Sequence, residues 1–442
     1  MEKWADYFTK ENKEENRPSG LPIRILALEK AGIEALCARP KAADCAETVK
    51  SILEKVRQEG DAALEFYSRQ FDKVQGDYAI RVPAQEIEEA YLKADKSLIE
   101  ALVFAKSQIE KVCIKTKPKD KKASTRYATI TQKIVPIESV GIYAPGGTAA
   151  YPSTVLMCAI PAKVAGVEKI ILCSSPQVAP SVLVAAKICG ISEVFAIGGA
   201  QAVAAMAYGT KTVPKVEKIV GPGNQYVTEA KKQVRGQQTD IDMLAGPTEV
   251  FIVADDSAKP DFVAADMIAQ LEHGPDSAAI TIMTEGMAGK VAQELERQAV
   301  ALPRREIVNK SMRNSVILTT DFANLQAVAD AINAYAPEHL EIQVNEAVCK
   351  KLLALVKNAG AVFVGEKSCE ALGDYCAGSN HVLPTGGSAK FSSGLSVANF
   401  TKIIEVIKVL DVDELAKNTG IIAKAEGLEG HARSAGIRLS KR

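Results

Sequence analysis

The sequence predicts an α/β protein with two Rossmann-like parallel-sheet domains and helical extensions at its N-terminal and C-terminal ends. The first observation is length, because 442 residues exceed what one compact core usually supports. The second is an alternation, from about residue 133, of short strand-like runs with apolar runs at helical spacing. Such alternation is typical of parallel sheets whose strands are joined by helices.

The region before residue 130 is predicted to be mainly helical. Residues 1–24 form a polar arm, and the basic run Lys115 to Arg126 is interpreted as a solvated loop. Apolar residues recur at helical spacing in the segments 43–59, 61–71, 84–93 and 96–112.

The alternating region contains nine predicted strands. They lie at 139–143, 169–173, 193–197, 218–220, 250–253, 279–283, 316–319, 340–344 and 361–364. Helices are predicted between and after the first four strands, at 153–164, 180–189, 200–207 and 225–234. After residue 399 the apolar run to Leu410 predicts a helix, and further helices are predicted at 413–417 and 421–433.

Composition limits the class of protein. Lys and Arg together number 54, as do Asp and Glu, so no overall field favours nucleic acid or an anionic membrane. Nine cysteines without a CxxC pair indicate a reducing compartment. A charged N-terminus and the lack of a membrane-length apolar run complete the prediction of a cytoplasmic protein.

Three glycine-rich turns follow predicted strands, at 143–148, 197–201 and 221–224. Glycine there lets backbone N–H groups approach a phosphate, and the next helix N-terminus favours negative charge. Tyr143, Gln201 and Asn224 add one aromatic ring and two amides at these turns. The sequence favours a nucleotide-sized ligand, although a packed tyrosine and two helix-capping amides explain the same residues.

Glu338 and His339 lie between a predicted helix and a predicted strand, directly after Pro337. A carboxylate beside an imidazole is a candidate acid/base pair, because the two groups titrate on either side of neutral pH. A solvated loop tip is the alternative interpretation.

Each of the four histidines, 273, 339, 381 and 431, has a carboxylate or an amide nearby in sequence. Gln270 and His273 are three residues apart and so share one face of a helix. Asp374 precedes His381, and Glu426 precedes His431. Zinc accepts such nitrogen and oxygen ligands, but spacing alone also permits four structural histidines.

Several long motifs resemble those of the histidinol dehydrogenases, in the same order and spacing. They include VGIYAPGGTAAYPSTVLMCAIPAKVAG, GGAQAVAAMAYGT, IDMLAGPTEV, QLEHG, YAPEHLE, GDYCAGSNHVLPTGG and EGLEGHARSAGIRL. The resemblance runs from about residue 25 to the C-terminus. It implies oxidation of L-histidinol through a bound aldehyde to L-histidine, with NAD as hydride acceptor and one zinc ion per active site. It also implies a homodimer in which the C-terminal segment of each subunit completes the other's site.

The resemblance assigns residue roles by position. Gln270, His273, Asp374 and His431 match zinc ligands that also contact substrate. Glu338 and His339 match the catalytic pair, with His339 also touching substrate. Tyr143, Gln201 and Asn224 match NAD contacts. The remaining substrate contacts match Thr248, His381 and Glu426, and the family usually has serine at the position of Thr248.

The same resemblance divides the chain into four parts. Residues 1–24 are the arm, and 143–247 are the NAD-binding domain. Residues 25–142 together with 248–394 are the catalytic domain, and 395–442 are a helical dimerisation segment.

Three alternatives remain open. Aldehyde oxidation could run through a thiohemiacetal on Cys158 or Cys376. The protein could be a same-family dehydrogenase of another polar alcohol, such as a sulfonated diol. It could also be a zinc-binding or nucleotide-binding protein without catalytic activity.

Overall fold

The structure is a computed structural model that describes residues 23–30, 32, 36, 37, 39, 44–146, 150–237 and 239–439. The predicted N-terminal arm lies outside the described residues except for its last two positions. The strands are β1 (Arg24–Ala27), β2 (Lys121–Ser124), β3 (Ala128–Pro136), β4 (Ser139–Ala144), β5 (Lys169–Ser174), β6 (Glu193–Ala196), β7 (Lys218–Val220), β8 (Asp240–Ile241), β9 (Glu249–Ala254), β10 (Ala278–Met283), β11 (Val316–Thr319), β12 (His339–Gln343), β13 (Ala361–Val364) and β14 (Thr401–Val409).

The α-helices follow in chain order. They are α1 (Ala46–Glu59), α2 (Asp61–Phe71), α3 (Ala84–Lys93), α4 (Lys96–Thr116), α5 (Pro152–Ala165), α6 (Pro180–Ile188), α7 (Gly199–Tyr208), α8 (Gln225–Val234), α9 (Pro260–Leu271), α10 (Glu285–Ala299), α11 (Arg305–Ser311), α12 (Leu325–Tyr335), α13 (Glu346–Leu355), α14 (Glu370–Tyr375), α15 (Asp413–Ala425) and α16 (Glu429–Gly436). None of the described helices is both long and apolar enough to cross a bilayer.

Two parallel sheets confirm the predicted fold class. The first, which we call the six-stranded sheet, has the order β1-β11-β10-β9-β12-β13. The second, the five-stranded sheet, has the order β6-β5-β4-β7-β8. Every residue of β9 and of β12 is buried. Burial on both faces is expected where helices cover a parallel sheet, and it explains the near-continuous apolar run of β9.

The prediction of a helix between residues 399 and 410 is wrong. Apart from a short 3-10 turn over Val397–Phe400, this segment is strand β14, which pairs antiparallel with β3 along its whole length. Apolar residues at 403, 406, 407 and 410 fit helical spacing, but they are mostly Ile and Val. Such β-branched side chains favour strands when a partner strand is available.

The basic run is not a loop either, because helix α4 extends to Thr116 and Lys121–Ser124 form strand β2 beside β3. Near the C-terminus, α15 continues past the predicted break to Ala425. The chain turns instead at Gly427, which has a φ of 73°. Glycine adopts that left-handed conformation without steric cost.

The packing of the N-terminal helices differs from the predicted grouping of 25–142 with 248–394. β1 does pair with β11 of the six-stranded sheet. Helices α1 to α4, however, pack on α5 to α8 of the five-stranded sheet, because their buried apolar faces share two cores with it. Strand β4, which the predicted boundary at 142/143 divides, lies in the middle of that sheet.

Candidate functional site

The predicted catalytic residues lie at the amino edge of the six-stranded sheet. Thr248 directly precedes β9, Glu338 directly precedes β12, and His339 is the first residue of β12. Gln270 lies in the last turn of α9. This end of the helix is at the same edge of the sheet, because the chain leads from it into the start of β10. Ligands of open α/β sheets usually bind at the carboxyl edge, so this placement is unusual.

Glu338 is buried, with 6% of its surface exposed. Its Oε2 accepts hydrogen bonds from the Thr248 hydroxyl at 2.6 Å and from the backbone N–H of Glu249 at 2.9 Å. Burial raises the pKa of Glu338 to about 7, although the neighbouring His339 and these two donors act in the opposite direction. The solvated-loop interpretation is therefore excluded, and the carboxyl titrates in the range useful to a general base.

His339 is also buried and lies among three carboxylates. Its Nε2 is 3.1 Å from Asp374 Oδ1. Its Nδ1 is 3.6 Å from Glu338 Oε2 and 3.9 Å from Glu370 Oε2, and it has no hydrogen-bond partner among the described residues. Burial alone would lower the pKa of His339, but the charge of Glu338 and the bond to Asp374 outweigh it and raise the pKa to about 10.

Asp374 shows the reciprocal effect. Burial would raise the pKa of its carboxyl, but the hydrogen bond and charge of His339, with smaller contributions from His381 and His273, lower it. The carboxylate of Asp374 is thus close enough to all three histidines for their charge to lower its pKa. His381 is held in turn by the Asp374 backbone carbonyl, 2.9 Å from its Nδ1, and burial lowers its pKa.

The Gln270 amide is fully buried between the segments that carry Glu249 and Glu370. With its nitrogen toward Glu370, it donates to both carboxylate oxygens, at 2.8 and 2.6 Å, and its oxygen accepts from the Glu249 N–H at 2.8 Å. His273 is exposed, and its Nδ1 faces the backbone carbonyls of Ala269 and Gln270 at 3.1 and 3.3 Å. Because Nδ1–H donates to these carbonyls, Nε2 keeps its lone pair.

His431 and Glu426 are not brought to this site within one chain. Glu426 ends α15 and His431 lies in α16, and both are exposed. Among the described residues, no group of three or more His, Cys, Asp and Glu side chains could hold a metal ion. The ligands expected from one chain, Gln270, His273 and Asp374, carry an amide oxygen, an imidazole nitrogen and a carboxylate. This donor set suits zinc once a further ligand is added.

The predicted NAD contacts lie at the carboxyl edge of the five-stranded sheet. Tyr143 is near the end of β4, Gln201 is in the first turn of α7, and Asn224 precedes α8. The Tyr143 hydroxyl accepts from the Gly199 N–H at 3.1 Å. Asn224 caps α8, with its Oδ1 accepting two backbone N–H groups at 3.0 and 3.1 Å. Packing and capping, the alternative interpretation, thus describe how Tyr143 and Asn224 are held.

The same edge also has a small cleft that opens to solvent. It lies beside the ends of β4 and β5 and is lined by Pro145, Gly146, Ser174 and Ser175 among others. Gly221 has a φ of 113°, and a Cβ there would meet the Tyr143 carbonyl oxygen at 2.1 Å. The turn between β7 and Asn224 can therefore approach β4 this closely only with glycine.

Sequence reasoning missed several buried charged residues around the pair. Glu249 forms an ion pair with Arg39, whose guanidinium donates to Glu249 Oε2 at 2.9 Å and to the Tyr335 carbonyl at 2.7 Å. Arg39 also lies 4.0 Å above the centre of the Tyr335 ring. Glu370 was detectable, because it is four residues before Asp374 and shares its helix face. Arg39 gave no such signal, since 210 residues separate it from Glu249.

The cysteine alternative is disfavoured by burial. Cys158 is fully buried, and burial raises the pKa of its thiol well above the ordinary value. A reactive cysteine needs a lowered pKa and some exposure. Cys376 packs against the apolar core that surrounds α5.

Comparisons with known proteins show which family the chain resembles. The family model described as "Histidinol dehydrogenase" matches residues 38–439. A histidinol dehydrogenase of Thermus thermophilus is 46% identical over 396 residues, covering 89% of this chain and 94% of the relative. One from Vibrio parahaemolyticus is 43% identical, covering 92% of this chain and 96% of the relative.

A solved structure shows the same fold at nearly full length. The crystal structure of histidinol dehydrogenase from Elizabethkingia anophelis superposes with a TM-score of 0.89 at 37% identity, covering 94% of this chain and 97% of that one. Together with the buried acid/base pair, these matches show that the chain belongs to the histidinol dehydrogenase family.

Proposed function

We propose that this enzyme of histidine biosynthesis oxidises L-histidinol to L-histidinaldehyde and then to L-histidine, passing one hydride to NAD in each step. The observation that supports it best is the buried Glu338–His339–Asp374 arrangement at the amino edge of the six-stranded sheet. A protein that only binds zinc or a nucleotide has no use for a buried, proton-carrying pair of this kind.

His339 is proposed as the group that receives the hydroxyl proton while hydride leaves the alcohol carbon. Its Nε2 is directed by Asp374, and its ring is packed 5.9 Å from Phe363, centre to centre. Both contacts fix the orientation of the imidazole. A general base needs a fixed orientation in order to reach the substrate hydroxyl. If Asp374 binds a metal or substrate instead, His339 loses one of the interactions that raise its pKa, and Nε2 of the neutral ring can then accept that proton.

Glu338 is proposed as the base that activates water for addition to the aldehyde. The hydrated aldehyde then loses its second hydride and a proton to become the carboxylic acid. A pKa of about 7 leaves Glu338 partly ionised at neutral pH while its conjugate acid remains a useful proton donor. Thr248 and the Glu249 N–H hold one oxygen of the carboxylate, and the other oxygen is left for water.

Gln270, His273 and Asp374 are proposed to hold zinc with His431 of a second subunit. Bound zinc would anchor the polar end of histidinol and fix the alcohol carbon for hydride transfer. The fit rests on the donor set and on His273, whose Nδ1–H is already used by backbone carbonyls so that Nε2 faces outward. His381 and Glu426 are proposed to contact the substrate beside these ligands.

NAD is proposed to bind along the carboxyl edge of the five-stranded sheet, near Tyr143, Gln201 and Asn224. Three features support this position: the open cleft beside β4, the glycine turn at Gly221, and the N-terminus of α8. A helix N-terminus favours the negative charge of a pyrophosphate.

A homodimer is proposed because the C-terminal segment has little to pack on in one chain. Strand β14 exposes Ile403, Val406 and Ile407 by about half or more. Helices α15 and α16 pack chiefly on each other and leave Ile421 and Ile437 more than 60% exposed. Exposed apolar surface of this extent marks an interface. None of the nine cysteines is in a disulfide, which supports a reducing, cytoplasmic location.

The direct test is purified protein with zinc, NAD and L-histidinol, followed by NADH absorbance. The proposal expects two NADH per histidinol and loss of activity when a chelator removes the metal. One NADH per alcohol, or turnover of a different polar alcohol alone, would contradict it and move the enzyme to a related substrate.

A further inference from the structure

A second layer of buried polar side chains lies directly behind the proposed site. Three elements each contribute one residue to the site and one to this deeper layer. The pairs are Asp266 and Gln270 on α9, His339 and Glu341 on β12, and Glu370 and Asp374 on α14. The spacings of four on helices and two on a strand place each pair on one face.

The centre of this layer is a pair of carboxyl groups, Asp266 and Glu341. Gln343 Nε2 donates to both, at 2.8 Å to Asp266 Oδ2 and 2.9 Å to Glu341 Oε2. Because one nitrogen bonds to both, the two carboxyl groups lie side by side. Two like charges held close together in a buried site disfavour each other, so the pair is more stable when one carboxyl carries a proton.

The pair also holds the start of α14. The Glu370 N–H donates to Glu341 Oε1 at 2.7 Å. Helix α14 has only six residues, so it depends on such external contacts for its position. The Glu370 side chain then accepts from the Gln270 amide. Asp266 and Glu341 are thus connected to both helices that carry the proposed ligands Gln270 and Asp374.

We propose that Asp266 and Glu341 are positioning residues that share one proton, and that this proton holds α9 and α14 against β12 so that Gln270 and Asp374 meet beside His339. The inference rests on the proposed function for what the site does, but the shared proton itself can be tested without substrate.

The surroundings of the pair favour a single negative charge. Glu341 is fully buried, and on the sheet it is flanked by Ile252 of β9 and Phe363 of β13. The titratable groups that face it are Asp266 from α9 and, at the start of α14, Cys369 and Glu370. None of these is a cation, so a second negative charge in the pair would have no partner there.

Burial and the neighbouring Asp266 accordingly raise the pKa of Glu341 from 4.5 to about 8. An acid whose pKa is raised by folding stabilises the fold most below its unfolded pKa. That contribution declines as pH rises from about 4.5 and is lost above about 8.

Asp266→Asn is the informative substitution, because an amide N–H supplies at every pH the donor that the shared proton supplies in the native pair. We expect the variant to keep zinc affinity and turnover near those of the unsubstituted enzyme. In full-length protein stripped of metal, unfolding by urea should show Asp266→Asn gaining stability relative to the unsubstituted chain between pH 5 and pH 9. An equal difference in the free energy of unfolding at pH 5 and at pH 9 would show that the pair does not share a proton.

Asp266→Ala removes the donor and the acceptor together. We expect it to lower zinc affinity by about 10-fold to 100-fold in competition with a chelator, the range seen when partners of metal ligands are removed. Unchanged zinc affinity in Asp266→Ala would overturn the positioning role, as would an equal loss in Asp266→Asn. The pH-dependent stability would still be seen if the enzyme oxidised some alcohol other than histidinol, so the two failures are distinguishable.

Asp255→Asn is the control, because Asp255 is a buried aspartate just past the end of β9 whose carboxylate bonds to Asn345 and Ser257 and not to a second carboxyl group. Its carboxylate accepts from the Asn345 N–H at 2.9 Å and from Asn345 Nδ2 at 2.7 Å, and its pKa is lowered. The substitution should leave zinc affinity unchanged, and the stability change with pH seen in Asp266→Asn should be absent.

Discussion

Glu338→Gln separates the two oxidations. The donors that hold Oε2, Thr248 and the Glu249 N–H, can bind the amide oxygen equally well, so the variant should fold. What disappears is the base for adding water to the aldehyde. Loss of a positioned general base costs about 10²-fold to 10⁴-fold in rate. The first oxidation should stay within a few-fold of the unsubstituted enzyme, and the second should fall by that factor.

The pH profile sharpens the same prediction. A base with a pKa of about 7 works only when ionised, so aldehyde oxidation should rise with pH through about 7. Glu338→Gln should lose this rise because an amide does not titrate in that range.

Rapid mixing with L-histidinol measures both effects. The unsubstituted enzyme should form two NADH per histidinol, and Glu338→Gln should form one quickly and the second slowly. Thr248→Ser is the control, because serine keeps the hydroxyl donor and removes only a methyl group. Equal losses in both oxidations, or an unchanged pH profile, would refute the assignment of Glu338 to water activation.

Three further predictions follow from the same geometry. Arg39→Ala leaves Glu249 buried without its ion-pair partner and should lower the free energy of unfolding, measured with urea, by about 3–5 kcal/mol. Arg69→Ala, at an exposed ion pair with a partner four residues away, should lower it by less than about 1 kcal/mol. Similar costs for both would show that the Arg39 pair is not desolvated. His339→Asn should slow both oxidations and recover partly at high pH, and undiminished turnover at neutral pH would exclude it as the base. Mixing His431→Ala with His273→Ala subunits should restore activity to about one quarter of the sites, since only one site of each mixed dimer is intact. No recovery after subunit exchange would refute the shared site.

The sequence predicted the parallel sheets well because buried strands leave a strong local signal. β9, covered on both faces, appears as a short run of Val, Phe and Ile between polar turns. β14 was misassigned because its helical apolar spacing carries no information about the distant partner strand β3. Pairing across more than 260 residues is decided by tertiary structure, which overrides local pattern.

The site was predictable to the extent that its chemistry lies in short motifs. Glu338 and His339 were identified as an acid/base pair from their adjacency, and their burial became known only from the structure. Glu341 could have been suspected, because it is two residues from His339 on the same strand face. Asp266 could have been suspected too, because it is four residues before Gln270 on the same helix face. Arg39 could not, since an ordinary charged residue on an irregular segment gives no sign of which buried carboxylate it meets.

The antiparallel sheet of β14, β3 and β2 is joined to the five-stranded sheet where β3 continues into β4. β3 runs into β4 after two residues, and the Ile137 N–H donates to the Phe400 carbonyl at 3.0 Å where β14 begins. Strand β14, which precedes the helices that carry His431, is thus held close to the start of β4, the strand that contains Tyr143. In the dimer that we propose, a tilt of one subunit's five-stranded sheet would therefore move the His431 that this subunit contributes to its partner's site.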